Sequence, residues 1–184
     1  MVERIVAAGR AVLVADGYDA FSTNRVADAA GISPGSLYQY FPNKAAIIDV
    51  VIDRYMATMS EQVVAALGDR LGEPVEDLVR GALDALLCAL ESDAALLHVA
   101  YEVLPLARNN PARAAVEQRV QQLATAYLAV RGLVAKPATA AWVTVLAIEN
   151  LTVRWVIDQP PISREELLDE LVALVGGYLP IAGP

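Results

Sequence analysis

The sequence holds a single cysteine, Cys88, a single histidine, His98, and only two lysines in 184 residues. One cysteine excludes an intrachain disulfide and fits a reducing compartment, so a cytoplasmic location is expected. One histidine and one cysteine, ten positions apart, supply neither a metal-ligand set nor a nucleophile–base triad. Neither a metal nor catalysis is therefore expected. No run of about 18 uninterrupted apolar residues argues for a membrane span. The opening M-V-E-R-I-V carries an early glutamate and helical periodicity, unlike a signal peptide. There is no strand-like alternation, no glycine-rich phosphate loop after a strand, no internal repeat and no low-complexity segment. What remains is an all-α chain without a cofactor.

Hydrophobic residues nonetheless make up 56% of the sequence. So much apolar surface implies a large core or a face covered by a partner. The formal net charge is −8, at first sight unfavourable for nucleic acid. The charge is unevenly placed. Residues 1–54 carry five Lys/Arg against six Asp/Glu, whereas residues 55–184 carry nine against sixteen. A nucleic-acid surface in the first part would be nearly neutral, with weak non-specific binding and a shallow salt dependence.

The most informative stretch runs from Ser22 to Lys44, S-T-N-R-V-A-D-A-A-G-I-S-P-G-S-L-Y-Q-Y-F-P-N-K. It reads as two short helices joined by a tight turn, with another helix starting at its end. Ser22 is a good N-cap. Val26, Ala27 and Ala30 follow on one face, and Gly31 stands where a helix ends in a left-handed residue. Ile32 can plug the turn. Ser33 caps again, and Pro34 takes the first helical position, where its missing N–H costs nothing. Leu37 and Phe41, four apart, face inward. The small Ala27, Ala30 and Gly31 let the two helices cross closely, as in a helix-turn-helix. The second helix then presents Gly35, Ser36, Tyr38, Gln39 and Tyr40. Glutamine bonds a base edge, adenine best, and tyrosine hydroxyls reach phosphates or bases. Lys44 adds an ammonium at the N-terminus of the next helix, a phosphate site.

The pattern V-A-D-A-A-G-I-S-P-G-S-L-Y-Q-Y-F-P-N-K, with the Ala8–Phe21 run ending G-Y-D-A-F, resembles the DNA-binding domain of the tetracycline-repressor (TetR) family of bacterial regulators. The likeness covers about residues 2–55. It departs from the family at Pro34, where a lysine or other polar residue is common, and at Arg25, a position often acidic. The resemblance implies a DNA-binding domain over residues 1–45 and a ligand-binding and dimerisation domain over 46–184. On this reading the DNA contacts come from Thr23, Arg25, Ser33, Gly35, Ser36, Tyr38, Gln39, Tyr40 and Lys44. The partners are a double-stranded operator, a small effector of unknown identity and a second copy of the chain.

Periodicity and caps give about nine helices. The first spans about Val2–Asp16, with Ile5, Val6, Val12 and Leu13 inward, and Gly17 ends it. The fourth starts near Asn43 and extends to Leu67. Later helices open at Pro74, at Ser92 or Asp93 (stopping at Pro105), at Asn110–Pro111, at Pro137 and at Ser163. Pro137–Asp158 is apolar nearly all round, as in a helix buried on several sides. Ser163 and Glu166 form a capping box for the last helix, whose end Gly176–Gly177 is expected to fray. Two such helices from each of two chains suit a four-helix bundle about a two-fold axis, with Val145, Leu151, Trp155, Leu168, Leu171, Val172 and Val175 expected at the interface. Polar residues among apolar ones are the candidates for an effector site: Tyr101, Glu102, Trp142, Glu149, Asn150 and Arg154, with Met59, Cys88 and His98 as lining. Cys88, within a leucine-rich helix, reads rather as a buried small hydrophobe, and Glu149 and Arg154 as partners of each other or across the dimer. Two rival functions remain: an enzyme, and a helical small-molecule-binding protein that keeps the helix-turn-helix without specific DNA binding.

Overall fold

Nine α-helices and one π-helical turn account for the regular structure of the described residues, and no strand occurs among them. The structure is a computed structural model describing residues 1–69, 73–103 and 111–179. Leu104, Pro105 and Asn110, expected at a helix end and a cap, lie outside those residues. The chain divides into two units, residues 1–58 with 93–113, and residues 59–92 with 114–184.

The first unit is built on α1 (Val2–Ala20), which buries Ile5, Val6, Ala8, Gly9, Val12 and Leu13. Its regular winding ends at Gly17 (φ 74), as the sequence indicates, but a further helical turn carries it on to Ala20. Helix α2 (Thr23–Ala30) opens on Ser22, whose side chain accepts from the Arg25 N–H, and closes on Gly31 in the left-handed region at φ 63. Helix α3 (Pro34–Tyr38) has five residues. It stops before Gln39 and Tyr40 because Phe41 precedes Pro42, and a residue before proline is pushed out of the helical region. Leu37 is fully buried, and Phe41, also buried, donates its N–H back to the Leu37 carbonyl.

Helix α4 (Lys44–Asp69) starts on Asn43, whose side-chain oxygen accepts from the Ala46 N–H at 3.0 Å, and runs two residues beyond the expected Leu67. At 26 residues it is about 39 Å long. Its first part buries Ile47, Ile48, Val51, Ile52, Tyr55 and Met56. It lies so near α1 that a Cβ added at Gly9 would stand 2.7 Å from Ile47 Cγ2. Near the other end of the same pair, Arg54 forks onto both carboxylate oxygens of Glu3 and holds that carboxyl below its ordinary range. Helix α6 (Ala94–His98) and the π-turn Val99–Val103 pack on α1, and their Leu96, Leu97, Val99 and Ala100 are buried. Asp93 caps α6 by accepting from the Leu96 N–H, and it also accepts from Arg10 Nε at 3.1 Å.

In the second unit α5 (Val75–Glu91) packs on α8 (Pro137–Asp158) and α9 (Arg164–Tyr178). Leu83 and Leu87 of α5 meet Leu168 and Leu171 of α9 in one cluster. A second cluster joins Leu128 of α7 (Pro111–Arg131) to Ala140, Ala141, Val175 and Leu179. The capping box at α9 is complete: Ser163 N–H donates to Glu166 at 2.7 Å, and the Glu166 N–H donates to Ser163 Oγ at 3.2 Å. Far from fraying at Gly176–Gly177, α9 continues to Tyr178.

Several expectations bear on this unit. Leu168, Leu171 and Val175, expected at a dimer interface, are 2–6% exposed and fill the unit's own core. Trp155 and Val172 also lean on that core, and Trp155 Nε1 donates to the Ile162 carbonyl. Cys88 is exposed, not buried. It sits on the outer stripe Asp84–Cys88–Glu91 of α5, where Arg164 bonds Asp84 at 2.7 Å, Glu91 at 3.0 Å and the Cys88 sulfur at 3.2 Å. Those carboxylates raise the guanidinium's pKa. Helix α8, expected to be buried on several sides, leaves Trp142, Val143 and Leu151 37–52% exposed, and it is long and apolar enough to cross a membrane by length and composition alone.

The close approach of α1 and α4 makes a prediction. Gly9→Val should lower stability by about 1–3 kcal/mol through overpacking against Ile47, read from the urea midpoint. An unchanged midpoint would contradict the packing described.

Candidate nucleic-acid interface

Two local devices position the exposed side chains of α2 and α3. The first is the cap of α3. Ser33 Oγ accepts from the Ser36 N–H at 3.2 Å and pairs with Ser36 Oγ at 2.9 Å. Gly35 beside it is exposed, and a Cβ there would meet nothing nearer than Ser33 Oγ at 4.0 Å. The second is a hydrogen bond of 3.0 Å between Thr23 Oγ1 and the Tyr38 hydroxyl, tying the first turn of α2 to the end of α3. Tyr38 and Tyr40 are about half exposed, at 52% and 46%, with Gln39 exposed between them. Beneath them Val26, Ala27, Ala30 and Leu37 are buried, so the polar rim rests on a packed floor.

Charge is sparse. Arg25 Nη1 donates to Asp16 Oδ2 at 2.6 Å, so the cation expected near a backbone already has a carboxylate partner. Lys44 Nζ stands 4.7 Å from the centre of the Tyr18 ring, a cation–π arrangement at the start of α4. Tyr18 and Asp16 were not among the sequence candidates. Tyr18 belongs to the G-Y-D-A-F run, in the last turn of α1 after Gly17, the one signal that could have singled it out. The structure thus couples Thr23 with Tyr38, Ser33 with Ser36, Arg25 with Asp16 and Lys44 with Tyr18. Gln39 and Tyr40 sit in the turn that follows α3.

The effector candidates are divided between the two units. Tyr101, half-buried, belongs to the first unit, as does Glu102, whose side chain lies outside the description. In the second unit Cys88 faces outward beside Arg164, and Trp142 is 52% exposed. Asn150 is exposed and donates to the Leu146 carbonyl, while Arg154 pairs with Asp158 at 2.9 Å. Met59 and Glu149 are half-buried and His98 is exposed. Among the described residues no group of three or more His, Cys, Asp or Glu is placed to hold a metal.

Comparison with known proteins fits this geometry. The profile of bacterial regulatory proteins of the tetR family matches residues 5–51, and that of the tetracyclin repressor-like C-terminal domain matches residues 74–179. Nucleoid occlusion factor SlmA of Actinobacillus pleuropneumoniae is 29% identical over 96 residues, 52% of this chain and 38% of that protein. The match thus spans well under half the length of that relative. A TetR-family regulator of Mesorhizobium loti superposes with a TM-score of 0.75 at 19% identity, over 96% of this chain and 94% of the other. The fatty acid degradation regulator FadR of Bacillus halodurans gives 0.71 at 18% identity, over 95% and 93%. At such identities the structural likeness speaks for the fold alone.

The Tyr18–Lys44 contact is testable on any duplex the protein binds. Tyr18→Ala should weaken binding by about 0.5–1 kcal/mol, the range of an exposed cation–π contact, while Tyr18→Phe should leave it unchanged. Equal losses in both variants, measured by fluorescence anisotropy, would show that the ring does not act through the cation.

Proposed function

The chain belongs to the TetR family of bacterial regulatory proteins, and on that premise we propose that it is a ligand-responsive repressor which binds a near-palindromic operator as a homodimer. The observation that carries this reading is the polar rim of α3: Ser33, Gly35, Ser36, Tyr38, Gln39 and Tyr40 on the buried floor of Val26, Ala27 and Leu37. Gln39 reads a base edge, the hydroxyls and the α3 cap meet phosphates, and Lys44 neutralises one phosphate at the start of α4. With Arg25 paired to Asp16, sequence recognition rests on hydrogen bonds more than on counterion release.

The dimer face follows from the exposed apolar residues of the last two helices. Trp142, Val143 and Leu151 on α8 and Leu174 and Tyr178 on α9 are 37–52% exposed, whereas the inner stripe is committed to the protomer core. Of the interface residues inferred from periodicity, Leu151 stays exposed at 46% and Val145 is half-buried. We assign the apolar outer surface of α8 to a second copy of the chain and not to lipid. A cytoplasmic location and the absence of catalysis follow from the same reading, since the family consists of transcription regulators. FadR, by its name, regulates fatty acid degradation, which agrees with an apolar or amphipathic effector here. Induction is then a population shift: the effector prefers a dimer geometry whose recognition helices no longer match the half-site spacing. Helix α4 belongs to both units and would carry the change.

One observation favours a second reading, a helical small-molecule-binding protein without specific DNA binding. The first 54 residues have a net charge of −1, and Pro34 and the paired Arg25 thin the phosphate contacts further. Substitutions separate the two. Gln39→Ala should cost about 1–3 kcal/mol on the operator and relax base choice at one position, whereas Lys44→Ala should weaken all sequences evenly and reduce the salt slope by about one. A Gln39→Ala loss equal on operator and random duplex would demote Gln39 to a backbone contact. Equal affinity of the parent protein for both duplexes would favour the second reading.

A further inference from the structure

Most cations of the first unit are already engaged. Of the five Lys/Arg in residues 1–54, Arg10 and Arg54 face the carboxylates of Asp93 and Glu3, Arg25 faces Asp16, and Lys44 lies over the Tyr18 ring. The Arg10 and Arg54 pairs join α1 to α6 and α4, so they brace packed helices. The Arg25 pair is different, because it sits in the helix-turn-helix itself. Arg25 belongs to the first turn of α2, two residues after Thr23, whose hydroxyl meets Tyr38 of the α3 rim.

Asp16 is poorly placed for stability alone. It is the last residue of α1 before the winding breaks at Gly17, and a carboxylate at the C-terminal end of a helix is disfavoured by the helix dipole. Arg25 does little to offset that. The two side chains are 53% and 34% exposed, and exposed ion pairs contribute little to a fold. What the pair does achieve is charge matching. Asp16 Oδ2 accepts from Arg25 Nη1 at 2.6 Å, where a phosphate oxygen would otherwise accept.

We propose that Asp16 competes with DNA for Arg25 and so limits the sequence-independent part of DNA affinity. This role rests on the DNA-binding reading above. A guanidinium already neutralised by a carboxylate releases few counterions on meeting a phosphate, and the exchange would leave Asp16 unpaired beside the duplex. The balance moves toward the hydrogen bonds of the α3 rim, which carry sequence. Asp16 touches no DNA in this scheme. It acts through the position of Arg25.

The test follows the intact protein by fluorescence anisotropy from about 50 to 200 mM salt. The probes are a random-sequence duplex and a duplex that the protein itself selects from a pool. Asp16→Asn should bind both about threefold more tightly at the lower salt and steepen the slope of log K against log salt by about 0.9, the value for one phosphate. Arg25→Ala alone should change binding by less than about twofold, and it should abolish the gain when combined with Asp16→Asn. Asp19→Asn removes an exposed carboxylate three residues further along α1 and measures the effect of net charge alone, which should be smaller. A gain that survives in the Arg25→Ala background, a gain matched by Asp19→Asn, or a large loss on Arg25→Ala alone would overturn the proposal. Parental preference for the selected duplex with no Asp16→Asn effect would overturn it too, and would leave the DNA-binding reading intact. An Arg25-dependent gain with equal parental affinity for both duplexes would support the competition and contradict specific recognition instead. No binding of either duplex by any variant would overturn both.

Discussion

Helices of eight and five residues cannot hold a groove-reading geometry on their own. Their orientation depends on the contact of α1 with α4, which meet so closely at Gly9 and Ile47 that only a glycine fits. Ile5, Val6, Val12 and Leu13 from one side and Ile47, Ile48 and Val51 from the other form the buried ground on which Val26, Ala27 and Leu37 rest. A shift of α4 along α1 would tilt that ground. The Glu3–Arg54 fork guards that register at the surface, while the Arg10–Asp93 pair ties α1 to the start of α6, which Asp93 also caps. Tyr55 is buried close to this junction, and burial together with the Asp93 charge raises its phenol pKa, so it stays neutral.

The polar rim follows a related economy. Three of its groups have their orientation set by one neighbour: Tyr38 by Thr23, Ser36 by Ser33, Lys44 by Tyr18. Pre-orientation lowers the entropy lost on binding, which matters for a surface with so little positive charge. The Arg25–Asp16 pair removes most of one cation from the long-range field. Such a surface gains little from non-specific attraction and depends on matched hydrogen bonds.

Much of the local structure was legible because caps are local chemistry. Ser22, Gly31, Ser33 with Pro34, and the Ser163–Glu166 box stand at helix ends as their side chains require. What periodicity could not say is which neighbour an apolar stripe would meet. Helix α9 carries two stripes, and Leu168, Leu171 and Val175 belong to the inner one while Leu174 and Tyr178 belong to the outer. Cys88 was misjudged among leucines although Asp84 and Glu91, four before and three after, mark its stripe as polar. Pairs such as Arg10 with Asp93 or Arg164 with Asp84 leave no trace in the sequence, because they depend on tertiary approach alone. In the candidate interface the residues of α3 were legible from the motif, while Tyr18 and Asp16 emerged only when the chain folded back on itself.

The central claim is that two α3 rims, held by the α1–α4 contact and related by a two-fold axis, read one DNA site. The most direct measurement is selection of bound fragments from the source genome, followed by footprinting at moderate salt. The account predicts a protected near-palindrome whose half-sites lie one helical turn or a multiple apart. Protection of a single asymmetric half-site, or no enrichment of any fragment, would contradict it.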